Sequence, residues 1–253
     1  MSAVVSSSER LTEAEETEAL RTKTEVVVER LRRIVREYSP AALATALGPE
    51  SMVLIDLIAR ERLPIVIFTI DTGRLPAETY ELLARTSQRY AETGLRIEVY
   101  FPRQEAVEEY VNAHGINAFY DSVALRRRCC EIRKVEPLRR ALAGRRAWIT
   151  GLRADQTETR SNLNVQAFDS IHGIEKFNPL IDWSAEEVWS YLRLHQVPYN
   201  RLHDQFYTSI GCAPCTRPVT VGEDARAGRW WWEQEQSKEC GLHLGRSPER
   251  RSA

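Results

Sequence analysis

The residues best suited to chemistry in this chain are its five cysteines, and they are not spaced like scattered core thiols. Cys129 and Cys130 are adjacent, Cys212 and Cys215 form a C-x2-C pair, and Cys240 stands apart near the C-terminus. An odd count leaves one thiol over in any disulfide scheme, and a reducing compartment disfavours disulfides altogether. Four soft thiolates suit a [4Fe–4S] cluster or a tetrahedral zinc ion. Structural zinc generally takes two knuckles of the C-x(2–4)-C kind, so the directly adjacent pair favours iron–sulfur. Cys240, in Glu239-Cys240-Gly241-Leu242-His243, is the leftover thiol. Exposed near a chain end, it is a candidate nucleophile in its thiolate form, which nearby cations favour.

The elements that must position these residues follow from periodicity. Apolar residues at helical spacing from Glu25 to Tyr38 predict an amphipathic helix, which Ser39-Pro40 ends. Ala41 to Ala46 predicts a short buried strand and Glu50 to Glu61 a helix. Pro64 to Ile70 is a β-branched and aromatic run, the pattern of a strand covered on both faces in a parallel sheet. A helix over Pro76–Thr93, a strand over Leu95–Phe101 and a helix over Gln104–His114 come next. A basic helix over Cys129–Ala143 and a strand over Ala147–Thr150 complete the alternation. Such alternation predicts right-handed βαβ units, hence an α/β fold with a doubly wound, mostly parallel sheet. Beyond Gly151 the sequence turns loop-rich, with one clear helix from Ser184 to His195 opened by a Ser184-x-x-Glu187 capping box. The organisation expected is a polar tail over 1–24, an α/β domain carrying the cysteine site over 25–220, and a C-terminal segment over 221–253.

Composition bounds the function. The chain has 253 residues, a net charge of −1 and 43% hydrophobic residues. It can bury a full core, and its charge offers no general reason to bind nucleic acid. No run approaches the roughly 18 apolar residues of a membrane span, and no secretory signal opens the chain. A cytoplasmic protein is expected.

Ligands of open α/β sheets bind beyond the carboxyl ends of the strands. Three loops lie there. Thr45-Ala46-Leu47-Gly48-Pro49-Glu50-Ser51 leads into a helix whose backbone N–H groups can face an anion. Asp71-Thr72-Gly73-Arg74 follows the most convincing strand, and Gly151-Leu152-Arg153 through Arg160 follows the Trp148 strand. Singly each is an ordinary turn or a solvated charge; together they favour a nucleotide site.

These loops, with Cys129-Cys130, Cys212-x-x-Cys215 and Glu239-Cys240-Gly-Leu-His243, resemble the assimilatory sulfonucleotide reductases. Within that family the chain is similar to the iron–sulfur adenylyl-sulfate (APS) reductases, over roughly Pro40 to Leu244. The resemblance implies an adenine-nucleotide alpha-hydrolase-like fold and a [4Fe–4S] cluster on Cys129, Cys130, Cys212 and Cys215. It implies that Cys240 attacks the sulfur of APS, expelling AMP, and that reduced thioredoxin then releases sulfite. Lys134, one helical turn from Cys130, matches the family lysine between cluster and substrate. Arg226 and Arg229 match its sulfate- and phosphate-facing arginines, with His243 as a further contributor. Thr45, Gly48, Asp71, Thr72, Arg74, Gly151, Arg153 and Arg160 are the remaining substrate-binding candidates. Arg139, Arg140, Arg145 and Arg146 are read as a solvated helix face. One departure is plain: family members carry serines in the phosphate loop, where this chain has Ala46 and Leu47, so backbone N–H groups must carry more of that contact.

Three other readings compete. A PAPS or dual-specificity reductase is the nearest, although enzymes committed to PAPS generally lack the four cluster cysteines. An ATP-pyrophosphatase-type tRNA-thiolating enzyme shares the fold class, but its SGGxDS loop is not matched by Thr45 to Ser51. A non-enzymatic iron–sulfur sensor leaves the Cys240 segment unexplained. APS and reduced thioredoxin are the expected partners, and a homo-oligomer is the expected assembly.

Overall fold

The computed structural model describes residues 13–156 and 164–233. Six strands form one sheet in the order β3-β2-β1-β4-β6-β5. They are β1 (Ala41–Thr45), β2 (Val66–Ile70), β3 (Ile97–Tyr100), β4 (Ala147–Ile149), β5 (Gln166–Asp169) and β6 (Ile174–Phe177). Every pairing is parallel except the edge pair β5–β6. The helices are α1 (Glu13–Tyr38), α2 (Pro49–Arg60), α3 (Ala77–Arg89), α4 (Gln104–His114), α5 (Val123–Cys130), α6 (Glu136–Leu142) and α7 (Ala185–Leu194).

Alternation along the strands splits the core into two layers, because successive side chains leave opposite faces. Leu43, Ile67, Ile149 and Phe177 pack with α1, α2 and α7, around Leu31, Met52, Leu54 and Tyr191. Ala42, Phe68 and Trp148 face the other way, onto Leu138, Ala141 and Leu142 of α6. Helices therefore cover both faces, as a doubly wound sheet requires. On the first face Asp56, 2% exposed, accepts hydrogen bonds from Tyr90 and Tyr191 at 2.8 and 2.7 Å. That buried carboxylate ties α2 to α7 and to the end of α3.

Four details depart from the sequence expectation. Helix α1 begins at Glu13, ahead of the apolar repeat that starts near Glu25, so it runs into the segment read as a polar tail. Leu20 is buried, and Lys23 reaches Glu187 while Arg30 grips Asp182, so side-chain anchors hold turns that periodicity alone does not mark. The α3 region closes early, with a short 3-10 turn over Ala91–Thr93. The β5–β6 hairpin replaces expected loop: its strands are only four residues each and half-exposed. The basic helix starts at Val123, capped by the Ser122 hydroxyl, which accepts from the Leu125 N–H. It continues to Leu142 through a π-helical stretch, Glu131–Val135. Pro137 has no N–H to donate to the carbonyl of Arg133, and its ring crowds that carbonyl, so the helix widens just ahead of it. The capping box of α7 is formed, with Ser184 and Glu187 each accepting from the other's backbone N–H. No helix among the described residues is long and apolar enough to cross a membrane.

Candidate active site

A cavity of about 300 Å³ opens beyond the carboxyl ends of β1, β2 and β4. Its floor is apolar: Ala44, Phe68, Leu138 and Trp148. Its rim carries three cations, Lys134, Arg226 and Arg229, and the start of α2. Of the substrate-binding candidates, Thr45, Gly48, Gly151, Lys134, Arg226 and Arg229 meet here.

The turn from β1 into α2 is locally strained. Leu47 is buried with φ at 58°, a left-handed conformation that branched residues rarely adopt. The Thr45 hydroxyl accepts from the Leu47 N–H at 2.8 Å, so it stabilises this turn. Gly48 caps α2 without a side-chain hydrogen bond, and Pro49 follows. The first-turn N–H groups beyond Pro49 have no side-chain cap, and the macrodipole favours an anion there. Glu50, in that first turn, also lines the cavity; Arg153 and Gln156 hold its Oε1 at 2.9 and 3.0 Å. Arg153 thus acts behind the cavity wall, offsetting a carboxylate where an anion is to sit. Gly151 allows β4 to end against α2: a Cβ there would lie 2.8 Å from the Glu50 Cβ and 3.2 Å from the Ser51 nitrogen. Gly151→Ala is therefore expected to push the start of α2 outward and weaken AMP binding about tenfold, in line with about 1–2 kcal/mol of overpacking. Calorimetric titration with AMP checks this, and wild-type affinity would contradict the close fit.

The four paired cysteines, from chain positions more than eighty residues apart, line one small pocket beside the cavity. Cys130, Cys212 and Cys215 are buried and Cys129 is half-buried. Arg74, Arg126, Arg133 and Lys134 complete the lining with Phe119, Pro214 and Trp230. The Cys215 thiol is pushed up to about 12, by burial first and then by neighbouring Cys212. Burial likewise raises Cys129, with Arg133 and Lys134 pulling the other way. Among the described residues, no group of three or more His, Cys, Asp or Glu side chains is gathered tightly enough to hold a single metal ion. The donor set that lines the pocket is all sulfur and its surroundings are cationic, which fits an anionic multi-thiolate group. Lys134, Cys212 and Trp230 line both pocket and cavity, so the two share a wall.

The Asp71–Arg74 loop belongs to that wall, and its side chains are absent from the cavity lining. Asp71 accepts from the Gly73 N–H and the Tyr80 hydroxyl, shaping the turn. The Thr72 hydroxyl lies 3.2 Å from the Cys212 sulfur, and Arg133 donates to the Thr72 carbonyl. Arg74 donates to the Ile116 carbonyl and to Asn117, with its guanidinium over Phe119. Arg229, only 7% exposed, lies over the Trp230 ring and donates through Nε to the Cys215 carbonyl. It passes so close to Gly211 that any side chain there would meet its guanidinium. Arg160, Cys240 and His243 lie outside the described residues. Sequence reasoning missed Phe68, Trp148, Glu50, Thr79 and the Ser209–Gly211 segment as lining. The strand residues were findable, since even-numbered positions of β2 and β4 share the α6 face; Ser209–Gly211 has no periodic signal.

A family model for the phosphoadenosine phosphosulfate reductase domain matches residues 40–218. This chain belongs to that family. Among its members, adenosine 5′-phosphosulfate reductase of Allochromatium vinosum is 56% identical over 227 residues, covering 90% of this chain and 88% of that protein. The Neisseria meningitidis serogroup B protein of the same name is 53% identical, over 89% of this chain and 91% of its own length. The crystal structure of phosphoadenylyl-sulfate (PAPS) reductase from Candida auris, a phosphate complex, superposes with a TM-score of 0.65 at 30% identity, over 83% of this chain and 98% of that one. Yeast FAD synthetase, at 17% identity and a TM-score of 0.54 over 83% of this chain and 70% of that one, shares the fold alone.

Proposed function

We propose that this chain reduces adenosine 5′-phosphosulfate to sulfite and AMP in sulfate assimilation, with a thioredoxin-type dithiol protein as reductant. The observation that carries this reading is the shared wall: a cavity edged by Lys134, Arg226 and Arg229 abuts a pocket of four cysteines. Relatives named for APS at 56% and 53% identity favour APS over its 3′-phosphorylated analogue. The Cys240 thiolate attacks the sulfate sulfur; a sulfur–sulfur bond forms and the bond from that sulfur to the phosphate oxygen breaks. AMP leaves with the electron pair. A thiolate of the reductant then attacks the Cys240 sulfur, sulfite departs with the electrons, and the second reductant thiol resolves the mixed disulfide. The two electrons thus come from the dithiol. Thiolate and substrate are both anions, so preorganised cations must lower their repulsion, and Lys134, Arg226 and Arg229 stand at the rim for that work.

Cys129, Cys130, Cys212 and Cys215 are the residues that would hold a [4Fe–4S] cluster. When bound, such a cluster supplies a fixed anionic charge that tunes the electrostatics around the sulfate. The chemistry needs reduced thiols, which supports a reducing compartment such as the cytoplasm.

Single-turnover reaction of anaerobically purified protein with sulfur-labelled APS and PAPS tests the reading. Label held covalently from APS, and released as sulfite by reduced thioredoxin, is the expected result. Equal labelling from PAPS makes the protein a dual-specificity reductase. No covalent label from either nucleotide overturns the mechanism.

A further inference from the structure

Arg126 and Glu233 are 107 residues apart in the chain, yet their side chains are only 1% and 3% exposed and paired. The guanidinium donates through Nε to one carboxylate oxygen and through Nη2 to the other, each at 2.8 Å. Such a fork fixes orientation as well as distance. Arg126 also lines the cysteine pocket, and its guanidinium lies 4.7 Å from the Trp230 ring centroid. Arg229, at the rim of the substrate cavity, lies at the same distance from that ring. Trp230 therefore joins the ion pair to a substrate-facing cation.

Burying two charges is a poor route to stability, since well-packed apolar residues of similar volume often do as well or better. A buried pair does specify where two segments must meet. Here the segments are the helix that carries Cys129 and Cys130 and the end of the described C-terminal region. Cys240 lies seven residues beyond Glu233. Seven residues reach at most about 25 Å when extended, so anchoring Glu233 limits the thiol to that distance from the Arg126 side of the cysteine pocket. An anchored, short tether raises the local concentration of a reacting group and narrows its approach.

We infer that the Arg126–Glu233 ion pair is a positioning device, fastening the root of the Cys240-bearing segment to the wall of the cysteine pocket so that the thiol meets the substrate cavity. The inference rests on the proposed Cys240 chemistry. Neither residue touches substrate in this scheme; each acts through the placement of Cys240.

The test uses full-length, anaerobically purified protein carrying Glu233→Gln, which removes the charge and keeps the shape. In that variant the first-order rate of label transfer from APS to Cys240 is expected to fall at least tenfold. AMP affinity and iron content should stay within twofold of wild type, and alkylation of Cys240 by iodoacetamide, followed by peptide mass, should speed up severalfold. The double variant Arg126→Gln/Glu233→Gln should transfer label no more slowly than the worse single variant, because the two residues act as one unit. Glu233→Asp keeps the charge but shortens the reach, and gives an intermediate rate; it serves if Glu233→Gln does not fold. Wild-type transfer in Glu233→Gln overturns the inference. So does a loss of transfer that merely follows matching losses of AMP affinity and iron, since that marks general support of the fold. Absence of label in the wild type sinks the Cys240 chemistry instead; the alkylation comparison then decides the anchor, and an unchanged rate overturns it.

Discussion

Cys240→Ser is expected to bind AMP as wild type does and to transfer label from APS at least about 10⁴-fold more slowly, the scale on which nucleophile removal acts. A serine hydroxyl is far less acidic than a thiol, and the rim of the cavity offers it cations to lower charge repulsion but no assigned base. None of the other cysteines is placed to substitute. Cys130, Cys212 and Cys215 are buried, and Cys129 is half-buried in the same pocket. Rapid-quench measurement of covalently held label separates this variant from the wild type within one turnover. Appreciable transfer without Cys240 would move the nucleophile elsewhere in the chain.

Arg229→Ala is expected to lower kcat/KM by 10² to 10³-fold, about 3–4 kcal/mol, the magnitude found when one preorganised electrostatic contact to a developing charge is removed. Arg229 is held in place before substrate arrives. Its guanidinium stacks on Trp230, its Nε is spent on the Cys215 carbonyl, and its own N–H bonds the Arg226 carbonyl at 2.8 Å. A lysine has the charge without the planar fork or the stack, so Arg229→Lys should recover little. Gly211→Ala is an independent check, because a methyl group there must displace the Arg229 guanidinium while leaving its charge in the chain. Steady-state kinetics on the three variants read the effect. Near-wild-type kcat/KM in Arg229→Ala with a full loss in Gly211→Ala would assign the close packing, not the charge, as the requirement.

Much of this site was legible because its determinants are local. The apolar run ending at Ile70 marked a covered strand, and Gln104–His114 is the helix that its spacing predicted. The lysine one turn from Cys130 is found between the cysteine pocket and the cavity. What escaped depends on contacts between distant segments. Arg153 is a loop cation in the sequence, and only the approach of α2 turns it into the partner of Glu50. Arg74 carries the right charge for a nucleotide, but Asn117 and the Ile116 carbonyl claim it. Strands β5 and β6 are short, half-exposed and at or near the sheet edge, so neither strict alternation nor a continuous apolar run reveals them.

The π-helical stretch Glu131–Val135 divides one long helix into two parts with separate duties. Downstream, Leu138, Ala141 and Leu142 are fixed in azimuth by the sheet they cover. Upstream, Cys129 and Cys130 face the pocket, at a rotation set by the extra residue the wide turn accommodates. Each residue of an α-helix advances the azimuth by about 100°. Loss of a single residue between 131 and 135 would therefore leave the sheet-covering half in place and swing both cysteines to another side of the helix. This segment is therefore expected to tolerate one-residue insertions and deletions poorly, although most of its side chains are only half-buried.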